Sequence, residues 1–183
     1  MTRPIDLHDS ANQVRGYAVK RLSLEDVEDL QVLYDACYKF SLLCDGVKPS
    51  STAAYDEFFA LPPKKTKDDK FMFGLVKDDG AIEGVIETIR AYPDEKTWWI
   101  GLMMISPELR GRNIGRAFFE WFEHFVSRQY ASTIMLGVIE ANTGGLKFWK
   151  REGFEIVRLT EPQAFNQKSH RVYVLSKQLA QHS

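Results

Sequence analysis

The segment Ile105-Ser106-Pro107-Glu108-Leu109-Arg110-Gly111-Arg112-Asn113-Ile114-Gly115-Arg116 decides how this chain is read. Ahead of it, residues 97–105 are mostly apolar and read as a strand. Behind it, Ile114, Ala117, Phe118, Trp121, Phe122, Phe125 and Val126 fall at offsets of 0, 3, 4, 7, 8, 11 and 12, the apolar face of a buried helix. Pro107 has no N–H for a ladder and closes the strand. The first N–H groups of a helix lack intrahelical acceptors, and the macrodipole places partial positive charge there. Gly111 and Gly115 leave that backbone open to approach, and Arg110, Arg112 and Arg116 add charge. The segment is therefore a candidate anion site, although a surface turn with solvated arginines is an equal reading of the same residues. One helix-end contact is worth only about 0.3–1 kcal/mol when exposed, so several must converge on one ligand. No Lys-Ser or Lys-Thr follows the glycines, as a P-loop requires, and no G-x-G-x-x-G occurs.

Upstream, residues 71–77, the turn Asp78-Asp79-Gly80 and residues 81–91 read as a hairpin, and 97–105 adds a third strand to make a meander. Residues 64–70 are charged and predict a solvated loop. Ser23 with Asp26 approximates a capping box. After it, Leu24, Val27, Leu30, Tyr34 and Cys37 recur at helical spacing, preceded by a short strand at Tyr17 and Val19. A weaker helix is expected over 52–60, and residues 1–13 form a polar N-terminal arm outside a single domain spanning 14–183. Downstream, 134–139 predicts a buried strand. Leu146, Phe148 and Trp149 sit on a short helix capped near Gly153, and 154–159 and 171–175 read as the last two strands. The order β-α-α-β-β-β-α-β-α-β-β implies an α+β domain layered around one sheet.

Composition sets outer limits. Of 183 residues 44% are hydrophobic and 27% charged, as in an ordinary globular protein. Lys plus Arg number 24 and Asp plus Glu 25, a net charge of -1 that argues against nucleic acid held by bulk positive charge. The longest apolar run, 98–105, is too short to cross a bilayer, and the N-terminus lacks an apolar signal segment. Cys37 and Cys44 cannot build a disulfide framework or a zinc site and read as reduced thiols. The expectation is a cytoplasmic protein with no metal and no membrane partner.

A strand, a proline, then Arg110-Gly-Arg-Asn-Ile-Gly115 at a helix start resembles motif A of the GCN5-related N-acetyltransferases, the GNAT superfamily, written Q/R-x-x-G-x-G/A. Arg110 matches the first position and Gly115 the last. Asn113 stands where the family usually has Gly, and Asn tolerates left-handed backbone better than most residues. Residues 134–142, then Gly145, Phe148, Trp149, Gly153 and Phe154, resemble motif B, with Asn142 and Trp149 at the spacing of the family's Asn and Tyr. The resemblance covers roughly residues 15–176.

The resemblance implies a GNAT-like mixed, mostly antiparallel sheet with a splayed central strand pair and helices on both faces. It implies acetyl-CoA as co-substrate and transfer of the acetyl group to a primary amine by direct attack in a ternary complex. Backbone near Met103 and Ile105 would pair with the pantetheine arm. The amides of Arg110, Gly111, Arg112, Asn113, Ile114, Gly115 and Arg116 would cradle the pyrophosphate, and Asn142 would bind beyond the splay. The acceptor would be a small-molecule or peptide amine, and family habit leaves a homodimer open.

The catalytic candidates are fewer. Trp149 replaces the Tyr that many relatives use as acid, and an indole N–H is no useful acid; packing against helix and cofactor is its simpler role. Glu87 could face the cleft as general base or be an exposed strand carboxylate. His124, His170 and Tyr173 are further candidates. Phe40 to Gly46, Tyr55, Phe58 and Phe59 could line the acceptor site or simply pack the core, and Trp98 and Trp99 point to opposite faces. A catalytically silent acyl-CoA sensor of the same fold is the alternative reading.

Overall fold

A computed structural model describes residues 13–180. The expected arm lies outside the described residues except for Gln13, which belongs to β1 (Gln13–Val14) and pairs with Ala18 of β2 (Tyr17–Arg21). The chain continues through α1 (Val27–Ala36), α2 (Tyr38–Asp45), α3 (Ala53–Glu57), β3 (Lys70–Val76), β4 (Ile82–Arg90) and β5 (Thr97–Ile105). After α4 (Ile114–Ser127) come β6 (Thr133–Ile139), α5 (Thr143–Arg151), β7 (Glu155–Leu159), β8 (Gln163–Phe165), β9 (Lys168–His170) and β10 (Val172–Gln178). Eight strands form one sheet in the order β1-β2-β3-β4-β5-β6-β10-β7. Its pairs are antiparallel except for β5 with β6.

Each face of the sheet carries helices. On one, α4 drives Ile114, Phe118, Phe119, Phe122 and Val126 against Phe73, Ile86, Trp98, Ile100 and Leu136. Phe118, Phe119 and Phe122 are fully buried, each worth roughly 1.5–3 kcal/mol of transfer free energy. On the other, Leu30, Leu33, Tyr34 and Cys37 cover Met72, Val85 and Met104. Helix α1 is launched by the Ser23–Asp26 capping box: the Ser23 amide donates to Asp26 Oδ2 at 2.8 Å and the Glu25 amide to Ser23 Oγ at 3.3 Å. Helix α5 ends in a Schellman motif, with Gly153 at φ +91, its amide on the Lys150 carbonyl and the Phe154 amide on the Trp149 carbonyl.

Three features differ from the sequence reading. Helix α2 and the small β8–β9 hairpin were not expected, because neither carries a clear apolar period; the hairpin is held instead by polar contacts to α2. The Gln167 amide donates to the Asp45 carbonyl at 3.0 Å, and His170 Nε2 lies 2.9 Å from the Cys44 carbonyl. Lys70, expected at the end of a solvated loop, is buried in β3. Its charge is drawn inward by two carboxylates described below. Among the described residues no helix is long and apolar enough to cross a membrane, and no group of His, Cys, Asp or Glu could hold a metal.

Candidate active site

Pairing between β5 and β6 stops early. Thr97 to Ile100 face Thr133 to Leu136, and no pair follows. Beyond that point β5 keeps β4 as its partner through Ile105, while β6 keeps β10 through Ile139. The two strands therefore diverge into a V whose β5 edge, from Gly101 to Ile105, is free. A bulge coincides with the divergence: Glu87 pairs with Leu102 and Thr88 with Ile100, leaving Gly101 without a partner. Such an insertion bends a strand and raises its twist. It also reverses the alternation, so Trp98 and Ile100 share the α4 face with Met103 and Ile105.

The V opens into a cavity of about 740 Å³. Met103, Met104 and Ile105 form the β5 side, Asn113, Gly115 and Arg116 the α4 end, and Asn142, Phe148 and Trp149 the α5 side. Arg110, Gly111 and Ile114 also line it, so nearly every residue expected to bind the cofactor shares one cavity; the Arg112 side chain is not among its walls.

The loop before α4 has the backbone of an anion nest. Gly111 (φ +75) and Asn113 (φ +59, ψ 13) are both left-handed. The first helical bond runs from the Ala117 amide to the Asn113 carbonyl. Among the described residues, none of the amides from Gly111 to Arg116 has a backbone acceptor. A Cβ on Gly115 would meet Ile105, Met103 and Phe148 at 3.5–3.9 Å, all of them cavity walls, so its absence widens the cavity rather than relieving a clash. Asn113→Val places a β-branched residue at positive φ and should cost about 1–2 kcal/mol of stability or more. Asn113→Gly, free of that penalty, should keep or exceed the wild-type midpoint in thermal unfolding.

The arginines are less free than the sequence suggests. Arg110 folds back, its Nε donating to the Ile105 carbonyl at 3.2 Å and its Nη2 lying 3.6 Å from Cys37 Sγ. It thereby ties the end of β5 to the end of α1. Arg116 pairs with Glu120 at 2.8 Å and reaches Glu152 at 3.9 Å while remaining well exposed. Asn142 Oδ1 caps α5 by accepting the Gly145 amide at 2.9 Å, and its Nδ2 has no partner among the described residues. Main-chain donors thus dominate this corner of the cavity.

Trp149 is packed edge-on against Phe119, Phe148 and Phe154, with centroids 4.9–5.2 Å apart. His124 is exposed on α4, and His170 is committed to Cys44. Phe40 and Leu43, with Lys39, form the α2 wall of the cavity. Tyr55 and Phe59 stack on each other at the surface instead, and Phe58 and Phe59 border a separate groove. Trp98 is buried under α4 and Trp99 meets Tyr92 edge-to-face, on the opposite side.

Glu87 is neither exposed nor a wall of the cavity. Its carboxylate lies behind Gly101, where a Cβ on that residue would fall on Glu87 Oε2. Its Oε1 is 3.1 Å from Lys70 Nζ, and Lys70 also donates to Glu57 Oε1 at 3.0 Å and to the Ala60 carbonyl at 2.7 Å. Burial pushes the Glu87 carboxyl up to about 7, and Glu57 adds to the rise, while Lys70 and the Gly101 amide oppose it. The Tyr34 hydroxyl is buried beside the two carboxylates with no hydrogen-bond partner among the described residues, and burial raises it too. Sequence reasoning missed Lys70 and Glu57, whose only signal was charge beside apolar residues, Phe71 of β3 for the one and Phe58 after α3 for the other.

The chain resembles solved acetyltransferases over almost its whole length. An acetyltransferase from Thermus thermophilus superposes with a TM-score of 0.73 at 17% identity, covering 91% of this chain and 99% of that one. Spermidine N-acetyltransferase from Vibrio cholerae, in complex with CoA and spermine, gives 0.69 at 12% identity, covering 90% and 96%. A GCN5-related N-acetyltransferase from Kribbella flavida gives 0.64 at 19%, covering 90% and 98%. No curated protein matches the chain in sequence. The model of the acetyltransferase (GNAT) family matches residues 27–154, the stretch that holds the splayed strands, the amide-rich turn and the α5 cap, and the chain belongs to that family.

Proposed function

We propose that this protein transfers an acetyl group from acetyl-CoA to a primary amine by direct attack in a ternary complex. The observation that carries the reading is the free β5 edge from Gly101 to Ile105, followed after one short turn by six consecutive amides with no backbone acceptor among the described residues. A peptide-like arm can add to a free strand edge, and a diphosphate suits a helix start with left-handed turns. Acetyl-CoA, when bound, supplies the activated acyl carbon. Backbone at Met103 and Ile105 holds the arm, the Gly111 to Arg116 amides hold the pyrophosphate, and Asn142 offers its Nδ2. A β5 amide facing the V is placed to receive the developing oxyanion.

The amine must be neutral to attack. At pH 7 that costs about 4.6 kcal/mol for a lysine-like amine and about 1 kcal/mol for an α-amine. Glu87 is the base we assign, directly or through one water at the exposed backbone of Gly101. β5 offers no acidic side chain, and Glu87 reaches from β4 across the glycine to the space such a side chain would fill. The V. cholerae neighbour, in complex with CoA and spermine, supports a small-molecule amine as acceptor.

The test is release of free CoA from acetyl-CoA with a panel of primary amines. Turnover with any of them supports the reading. Tight CoA binding without turnover on all of them would instead favour the acyl-CoA sensor, which Trp149 at the family's Tyr position also favours. Trp149→Tyr should leave turnover within about threefold at every pH, because the indole supplies no proton and its phenylalanine packing supports a structural role. A gain above tenfold would show that sulfur protonation limits the native enzyme.

A further inference from the structure

The cluster behind Gly101 extends beyond the base itself. Lys70 Nζ lies between two carboxylates, 3.1 Å from Glu87 and 3.0 Å from Glu57, with its third hydrogen on the Ala60 carbonyl. The Lys70 and Glu87 side chains are each only 4% exposed, whereas that of Glu57 is 25% exposed. Lys70 also forms the floor of a second groove of about 230 Å³, bordered by Ser23, Phe58 and Met72 and separate from the acetyl-donor cavity. Glu87 thus lies between the exposed backbone of Gly101, where β5 leaves β6, and Lys70 at the groove. On the cleft side its β5 neighbours Leu102 and Met104 are apolar.

Resting on the acetyl-transfer reading, we propose that Lys70 and Glu57 are the proton outlet of Glu87, carrying the proton taken from the amine away from the cleft, along the α1–α3 face of the sheet, to the solvent beside α3. The step balances without any added reagent. The acceptor arrives as an ammonium and loses two protons: Glu87 Oε2 takes the first, freeing the lone pair, and the second, lost as the N–C bond forms and the C–S bond breaks, ends on the departing thiolate. A half-turn of the carboxyl, whose terminal torsion is broad and two-fold, presents that proton to Lys70. Lys70 passes one of its own hydrogens to Glu57 and accepts the one from Glu87, so it ends as it began, an ammonium. Glu57, a quarter exposed on α3, then gives the proton to solvent. The groups facing this path are Tyr34 from α1, Glu57 from α3, Lys70 from β3 and the Gly101 amide from β5. Burial and both carboxylates raise the Tyr34 hydroxyl, so it stays protonated and carries nothing. Lys70 and Glu57 act through Glu87, as positioning and relay groups.

An outlet that only resets the base has a kinetic signature. The first acetyl transfer should proceed normally and every later one should wait. Rapid-quench measurement with Glu57→Gln, whose partly exposed site tolerates the change, should show a first turnover within twofold of wild type and a steady-state rate at least tenfold lower. Lys70→Arg keeps the charge but a guanidinium does not give up its proton, so it should behave the same way. Combined with Glu57→Gln it should add no further loss. Steady-state rates within twofold of wild type in both variants would overturn the outlet, as would equal losses in the first and later turnovers. A wild-type protein that binds CoA and acetylates no amine would bring down the transfer reading and the outlet together, whereas normal wild-type turnover with unaffected variants brings down the outlet alone.

Discussion

Gly115→Asp should abolish binding of CoA while leaving the free protein as stable as wild type or slightly more so. The backbone at Gly115 is helical, and a Cβ there comes no nearer than 3.5 Å to any other part of the chain, so the substitution has room. A carboxylate in the first turn of α4 interacts favourably with the helix dipole, by about 0.3–1 kcal/mol. The same carboxylate projects toward Ile105, Met103 and Phe148, into the space where the diphosphate is proposed to lie, and repels it. Wild type at a CoA concentration of 100 Kd gains about 2.7 kcal/mol, roughly 5–10 °C in thermal midpoint for a chain of this size. The variant should gain nothing. The opposite signs separate this result from damage to the fold, which would lower the midpoint of the free protein first. A variant still stabilised by CoA would place the diphosphate elsewhere.

The parts of this site that were legible in sequence are those built from backbone. Gly111, Asn113 and Gly115 stand in a strand–turn–helix context whose free amides follow from helix geometry alone, and Asn113 takes the left-handed conformation its chemistry allows. The apolar period of α4 announced the largest buried face for the same local reason. What could not be read was long-range. Glu87 is separated from Lys70 by 17 positions and from Glu57 by 30, and only the β3–β4 register together with the seating of α3 brings the three together. Glu87, on a strand that also carries Glu83 and Arg90, read as an exposed carboxylate because its counter-charge lay in a segment read as loop. The β5 bulge was equally hidden. Gly101 gave no sign that its missing side chain makes room for a carboxylate from the neighbouring strand. Arg110 shows the reverse error: its charge was visible, but its tie to Ile105 and Cys37 depends on where α1 ends in space.

Glu87→Gln should make the protein inactive and more stable, and the gain should grow with pH. The native carboxyl, pushed up to about 7 from 4.5 chiefly by burial, holds its proton more tightly than the unfolded chain does. Folding therefore takes up a proton between those two values. Stability is full below about 4.5, falls as pH rises toward 7 and is lowest above it, by roughly 3 kcal/mol if Glu87 acted alone. Glutamine keeps the shape and a hydrogen-bonding carbonyl for Lys70 but has no proton to lose. The cluster becomes a neutral Glu57–Lys70 pair instead of two carboxylates sharing one ammonium. Urea midpoints should thus match wild type near pH 4.5 and exceed it at pH 8 by the equivalent of about 1–3 kcal/mol. Acetyl transfer should fall about a hundredfold or more, the usual contribution of a positioned base. Parallel pH dependence in the two proteins would mean that the Glu87 carboxyl keeps its ordinary proton affinity within the fold, and a carboxylate that weak is a poor base near neutral pH. If the curves diverge, the cost of keeping a carboxylate buried behind Gly101 is retained in the native chain because the charge has work to do there, as expected where activity and stability pull in opposite directions.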